Sequence, residues 1–152
     1  MSVAFRRESD EEHKEPRFEL PIPPGPNLVT PRGLALIEAR VAELEAQGGQ
    51  GSEPAAIEEA KRDLRYWRQR LATARVTAPP GDGEIGFGSR VTFSLNGKRR
   101  TIGIVGEDEA DPAAGLLGIS APLAQALVGA GEGDVVAFAG KADAIEVVEV
   151  GV

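Results

Sequence analysis

The chain has 152 residues, 41% of them hydrophobic and none of them cysteine, so it can build a core but neither a disulfide framework nor a thiolate metal site. No apolar run approaches the ~18 residues of a membrane span, and the charged N-terminus lacks the apolar segment of a secretory signal, which favours a cytoplasmic protein. The net charge of −7 comes mainly from residues 81–152, which contain eleven Asp or Glu and five Lys or Arg. This excess of acid argues against broad nucleic-acid binding through that half.

Residues 1–29 mix charges with prolines and show no apolar period. The run PIPPGP within them cannot form a helix or a central strand. This composition predicts a disordered or extended tail.

A first helix is predicted to begin after Thr30, which can act as N-cap, with Pro31 at the first helical position. It should end at Gly48 and Gly49, which adopt positive φ at low cost. Its apolar residues recur at spacings of three and four: Leu34, Ile37, Val41 and Leu44.

A second helix of roughly 24 residues is predicted to begin near Ser52 as N-cap, with Pro54 in its first turn. Two such helices joined by a short glycine-rich loop predict an antiparallel coiled-coil hairpin over residues 30–77. The apolar residues of the second helix again alternate threes and fours: Ile57, Ala60, Leu64, Trp67, Leu71 and Ala74.

Residues 78–83 form a predicted linker, after which the apolar period changes to two. Residues 90–95 and 99–106 are predicted strands joined by a turn at Asn96 and Gly97, and residues 108–118 a loop. A short helix beginning near Pro122 and two further strands complete residues 84–152. The overall prediction is an α+β fold: a helical hairpin followed by a small antiparallel sheet domain with one helix.

The C-terminal residues carry a resemblance. The run GFGSRVTF…TIGIVGEDEADPAAGLLGISAPLAQALVGAGEGDVVAF…IEVVEV is similar to the C-terminal domain of the bacterial Gre transcript-cleavage factors (GreA/GreB). The helix opening TPRGLALIEARVAEL resembles the start of the Gre coiled coil, and the tail MSVAFRRESD is similar to leaders of some GreB-like proteins.

That resemblance implies an FKBP-like C-terminal domain and a monomer that docks on RNA polymerase at the rim of the secondary channel. The hairpin would then point down the channel, with at most indirect contact to the nascent RNA. The docking segment of the family often has an acid or amide, then Ser-Pro; this chain has Ser120, Ala121 and Pro122, followed by Leu123. Leu123 and Leu127 are expected to lie in the core.

Gre factors that stimulate cleavage carry an acidic pair at the hairpin tip, which helps to hold a second Mg²⁺ in the polymerase active site. The corresponding stretch here, EAQGGQGSEPAAIEE, lacks that motif, and both arms are shorter than the family's. Glu53, Glu58 and Glu59 are instead expected to favour the helix dipole and solubility. The sequence therefore predicts a protein that is not an enzyme and has no catalytic residue, metal site or cofactor.

The second helix is basic, and this face could contact nucleic acid or the acidic channel wall. The alternative is a solvated face that pairs with Glu38, Glu43 and Glu45 across the hairpin. The candidate contacts are Arg62, Arg65, Arg68 and Arg70, with Lys61 and Arg75 beside them.

The acids Glu107, Asp108, Glu109 and Asp111 lack the spacing of a Ca²⁺ loop and are interpreted as a solvated strand-end loop. The sequence thus predicts a Gre-like elongation regulator that binds polymerase without cutting, and that competes with cleavage factors or modulates small-molecule access. Two alternatives stay open. One is residual cleavage stimulation; the other is a prolyl isomerase using Phe87, Phe93 and Phe138.

Overall fold

A computed structural model describes residues 19–48 and 53–152. The chain folds into a pair of helices and a five-stranded sheet, joined at the base of the pair by a second, two-stranded sheet. The helices are α1 (Pro31–Gln47), α2 (Pro54–Thr73) and α3 (Pro122–Leu127).

Helix α1 begins and ends as the sequence predicts. The Thr30 hydroxyl accepts a hydrogen bond from the Gly33 N–H at 2.9 Å, which caps the N-terminus. Gly48 has a φ of 41°, and its N–H donates to the Leu44 carbonyl, which closes the C-terminus. The apolar stripe faces α2, with Ile37, Val41 and Leu44 buried.

Helix α2 has Pro54 in its first turn, as predicted, but ends earlier than predicted. Glu53 occupies the N-cap position and makes no side-chain capping bond; Ser52, the predicted N-cap, lies outside the described residues. The helix has 20 residues and stops at Thr73, so Ala74 does not belong to its apolar stripe.

Ala74 instead begins strand β2 (Ala74–Val76), which pairs in parallel with β1 (Asn27–Val29). The end of the predicted tail is therefore a strand. Pairing with β1 gives residues 74–76 backbone hydrogen bonds in place of those of a further helical turn, and local apolar spacing cannot reveal a partner 47 positions away.

The strands of the large sheet are β3 (Arg90–Leu95), β4 (Lys98–Val105), β5 (Leu116–Gly118), β6 (Val135–Phe138) and β7 (Lys141–Gly151). Their order in the sheet is β5-β4-β3-β7-β6. Asn96 and Gly97 have φ values of 54° and 81°, as the tight hairpin turn between β3 and β4 requires. The remaining pairs are antiparallel except β4 with β5.

Strand β5 corrects the prediction that residues 108–118 form a loop. Leu116, Leu117 and Gly118 pair in parallel with β4, after two short 3₁₀ turns at Glu107–Glu109 and Pro112–Ala114. Three residues are too few to display a period of two, so the sequence pattern could not separate this strand from a loop.

The core lies between α3 and one face of the sheet. Leu127 is fully buried, whereas Leu123 is only partly buried against the same cluster, so the prediction for Leu123 holds in part. In the residues that the structure describes, neither arm of the helix pair nor α3 combines the length and apolar content of a membrane-spanning helix.

Gly106 allows β1 to lie against the end of β4, because a Cβ atom there would come within 2.4 Å of the Leu28 carbonyl oxygen. We expect Gly106→Ala to lower the free energy of unfolding by about 1–3 kcal/mol, since the backbone must shift to admit the methyl group. The matched control is Gly81→Ala, where no atom lies within 4 Å of the new Cβ. Urea unfolding measures both; equal effects would contradict this account of the junction.

Candidate functional site

A buried ion pair joins the helix pair to the sheet domain. Arg70 on α2 is 2% exposed, and its Nε donates to Asp108 Oδ2 at 2.5 Å. Its Nη2 donates to Asn27 Oδ1 at 2.8 Å, and the Asn27 amide donates to the Arg70 carbonyl at 2.8 Å. Asp108 follows β4, so this group connects α2, β1 and the large sheet.

The neighbouring acid binds the other helix. Glu109 is 7% exposed; its Oε1 accepts a hydrogen bond from the Thr30 hydroxyl at 2.6 Å, and its Oε2 accepts one from Arg32 at 2.8 Å. A Cβ on Gly33 would lie 2.8 Å from Glu109 Oε1, so glycine at that position admits the carboxylate. The N-cap of α1 is thereby fixed to the sheet domain.

The interpretation of these acids as a solvated loop is therefore wrong for Asp108 and Glu109. Both carboxylates are buried because cationic and hydroxyl donors from the helices replace their water. One sequence signal pointed to this: Arg70 lies three residues after Trp67, which places it on the apolar side of α2. Asn27 and Tyr66, which complete the junction, carried no such signal.

Tyr66 donates a hydrogen bond to Asp108 Oδ1 at 2.5 Å. Burial, followed by the hydrogen bond to Asp108 and the charge of that carboxylate, raises the pKa of Tyr66 to about 12. Asp108 thus accepts hydrogen bonds from two residues of α2 at once.

The basic face of α2 divides into one buried and three more accessible arginines. The prediction that Arg70 contacts nucleic acid or a channel wall is wrong, because its guanidinium is committed to Asp108 and Asn27. Arg62, Arg65 and Arg68 stay candidates for such contact.

Those three arginines are nevertheless paired with acids. Arg68 binds Glu45 of α1 at 2.8 Å, as the alternative of pairing across the hairpin predicted. Arg65 binds Glu19 at 2.8 Å, which lowers the pKa of Glu19 and raises that of Arg65. Of the other acids named for such pairing, Glu43 binds Arg40 of its own helix.

The segment Ser120–Leu123 precedes and opens α3. The Ser120 N–H donates to Glu107 Oε2 at 3.2 Å, and the Gln125 side chain donates to the Ile119 carbonyl at 2.7 Å. Ser120 and Pro122 are exposed, whereas Ala121 and Leu123 are half-buried. The segment therefore presents a short exposed surface on a backbone that is held from both sides.

At the far end of the helix pair, Glu53, Glu58 and Glu59 are all exposed, while residues 49–52 lie outside the described range. Within the part of the chain that the structure describes, no three His, Asp or Glu residues are grouped so that they could hold a metal ion. Phe87 and Phe93 are 7% and 0% exposed, so they belong to the core and cannot line the pocket of a prolyl isomerase.

The chain is similar to known proteins over its C-terminal part and, for one relative, over most of its length. The family model of the transcription elongation factors GreA/GreB, C-terminal domain, matches residues 80–151. A transcription elongation factor GreA of Ralstonia nicotianae is 40% identical over 120 residues, which make up 71% of this chain and 75% of that protein. A GreA of Vibrio parahaemolyticus is 39% identical over 79 residues, or 51% of this chain and 50% of that relative.

Among solved structures, a prokaryotic transcription elongation factor GreA/GreB from Nitrosomonas europaea is 21% identical, with a TM-score of 0.40. The match covers 85% of this chain and 100% of that one. At this score the similarity supports no argument about the arrangement of the parts or about function.

Removing the carboxylate of Asp108 tests the junction. We expect Asp108→Ala to lower the free energy of unfolding by about 3–5 kcal/mol, because it leaves the Arg70 charge buried and unpaired. The matched control, Glu45→Ala, breaks the exposed pair with Arg68 and should cost less than about 1 kcal/mol. Denaturant unfolding distinguishes them, and a loss at Asp108 no larger than that at Glu45 would contradict the proposed role.

The ionisation of Tyr66 can be measured without a contribution from other tyrosines, because the chain has one tyrosine. We expect phenolate absorbance in the folded protein to appear with a midpoint near pH 12, against about 10 in denaturant. Since the folded chain holds this proton more tightly, the free energy of unfolding should decline as pH rises from about 10 to about 12. Asp108→Asn should lower the folded midpoint; the same midpoint in folded and denatured protein would show that the contact is absent in solution.

Proposed function

Since this chain belongs to the GreA/GreB family of transcription elongation factors, we propose that it binds RNA polymerase at the rim of the secondary channel without stimulating transcript cleavage. In this proposal the chain acts as a cytoplasmic monomer and is not itself an enzyme. It occupies the channel mouth, where it competes with cleavage-stimulating factors or alters the access of small molecules.

Support for docking comes from the segment Ser120–Leu123. Its exposed Ser120 and Pro122 stand on a backbone held by Glu107 on one side and Gln125 on the other. A partner can therefore bind this surface without ordering it first, which lowers the entropic cost of association.

The observation that carries the second half of the proposal is the length of the helix pair. Helices of 17 and 20 residues extend about 26 and 30 Å at 1.5 Å per residue. Both arms are shorter than those of the cleavage-stimulating hairpins that the resemblance leads us to expect. Mg²⁺ needs oxygen ligands at about 2.0–2.1 Å, so an arm that ends early cannot supply them.

Residual cleavage stimulation is the second candidate, and one observation favours it. Glu53, Glu58 and Glu59 are exposed near the end of the hairpin, where their carboxylates could meet a metal held by another protein. Glu53 lies at the N-cap of α2, where an acid also stabilises the helix dipole without any partner, whereas Glu58 and Glu59 lie in the second turn.

The basic face would have a supporting role. Arg62, Arg65 and Arg68 could exchange their acid partners for the channel wall or, indirectly, for the nascent RNA. Exposed ion pairs of this kind contribute little to stability, so the exchange would cost little.

Docking is tested by charge placed on the segment. We expect Pro122→Arg to weaken binding to purified RNA polymerase by about tenfold or more, since the exposed centre of the segment would carry a bulky charge. The matched control is Pro112→Arg, because Pro112 is also exposed and also occupies the first position of a short helix. Equal binding by both variants would place the docking surface elsewhere; no binding by the wild-type chain at micromolar concentration would end the proposal.

Cleavage is tested on backtracked polymerase complexes. We expect an excess of the wild-type chain to leave the rate of transcript cleavage unchanged, because no acidic pair reaches the second metal. When a cleavage-stimulating GreA is also present, the chain should reduce its effect by competition, and Pro122→Arg should reduce it less. Strong stimulation by the chain alone would instead establish the residual-cleavage alternative.

A further inference from the structure

A cleft of about 200 Å³ lies beside the docking segment. It is bounded by the proline-rich stretch before β1, by the turn after β4 and by the residues that lead into α3. Its apolar wall includes Pro23, Pro24, Pro26 and Ile119, and its polar side includes Glu107 and Ser120.

The carboxylate of Glu107 is held at this cleft. Its Oε2 accepts the hydrogen bond from the Ser120 N–H at 3.2 Å. The group lies over Gly118, where a Cβ atom would come within 2.8 Å of Glu107 Oε1. The glycine thus makes room for a carboxylate next to the docking segment, which fixes the place of its charge.

Among the described residues, the negative charge that lines the cleft is not balanced by a cation. Arg70 and Glu107 are its charged lining residues, and the charge of Arg70 is already offset by Asp108 at 2.5 Å. Among the described residues, no Lys or Arg nitrogen lies within 4.0 Å of the Glu107 carboxylate. The surplus charge favours a cation over an anion as the occupant.

We propose that Glu107 receives an arginine or lysine side chain of RNA polymerase in this cleft. The proposal rests on the docking function proposed above and names the chemistry of one contact within it. Apolar proline rings suit the aliphatic stem of such a side chain, while the carboxylate at the mouth pairs with its charged head.

This contact supplies the docking surface with a charge that its own sequence lacks. Ser120 stands where the docking segment of related factors often has an acid or amide, so the segment has no side-chain charge of its own. Glu107, bonded to the backbone of Ser120, returns a carboxylate to that place from a different strand end.

The experiment measures the affinity of labelled full-length chain for purified RNA polymerase. We expect Glu107→Gln, which keeps a hydrogen-bond acceptor for Ser120, to weaken binding about tenfold, and Glu107→Lys to weaken it further. The matched control is Glu132→Gln, because Glu132 is also an acid that accepts one backbone N–H bond, from Val150 at 3.2 Å. That variant should bind within about twofold of wild type.

A rescue variant distinguishes the loss of the Glu107 charge from an effect of the substitution on the local fold. Adding Ser120→Asp to Glu107→Gln returns a carboxylate to the mouth of the cleft and should restore most of the lost affinity. A defect that Ser120→Asp leaves unchanged would mean that Glu107 acts only on the local fold and would overturn the proposal.

The remaining outcomes are also decisive. If the wild-type chain binds polymerase and Glu107→Gln binds equally well, this contact is wrong while the docking function stands. Tighter binding by Glu107→Lys would show that the cleft takes an anion. Failure of the wild-type chain to bind at all would instead remove the docking function on which the contact rests.

Discussion

The buried pair of Arg70 and Asp108 is the constraint on which the arrangement of this molecule depends. Both charges have left water, since the side chains of Arg70 and Asp108 are 3% and 8% exposed. A buried ion pair adds little stability over a well-packed apolar contact, but separating its members is expensive. Asn27 and Tyr66 add hydrogen bonds to Arg70 and Asp108, so one orientation of α2 on the sheet domain is favoured over the rest.

Each of the three acids in the 3₁₀ turn Glu107–Glu109 contacts a different part of the protein. Asp108 binds α2 and Glu109 binds the N-terminus of α1, so the direction of the helix pair is fixed at this turn. Glu107 supports the backbone of Ser120, so the proposed docking surface is attached to the same turn. Docking on a polymerase would therefore set where the helix pair points, and the length of its arms would set how far it reaches.

The sequence predicted the elements that local spacing determines, and failed where a distant partner decides. Helix α1, its Thr30 cap and the turn at Asn96 follow from a few adjacent residues, and each is found as predicted. The end of α2 at Thr73 depends on pairing with β1, and the burial of Glu109 depends on donors 77 and 79 positions away. A run of acids looks alike in sequence whether water or buried arginine surrounds it, so the position of Arg70 on the apolar side of α2 was the one signal that pointed to the junction.

We propose that a rigidly mounted but short helix pair lets this factor bind polymerase without supplying a metal ligand. A cryo-electron-microscopy structure of the chain on a backtracked polymerase complex would show where the helix pair ends. We expect the sheet domain at the channel rim, Arg70 still paired with Asp108, and Glu53 well short of the catalytic metal. A carboxylate of Glu53, Glu58 or Glu59 within the ~2.0–2.1 Å of Mg²⁺ coordination would contradict it.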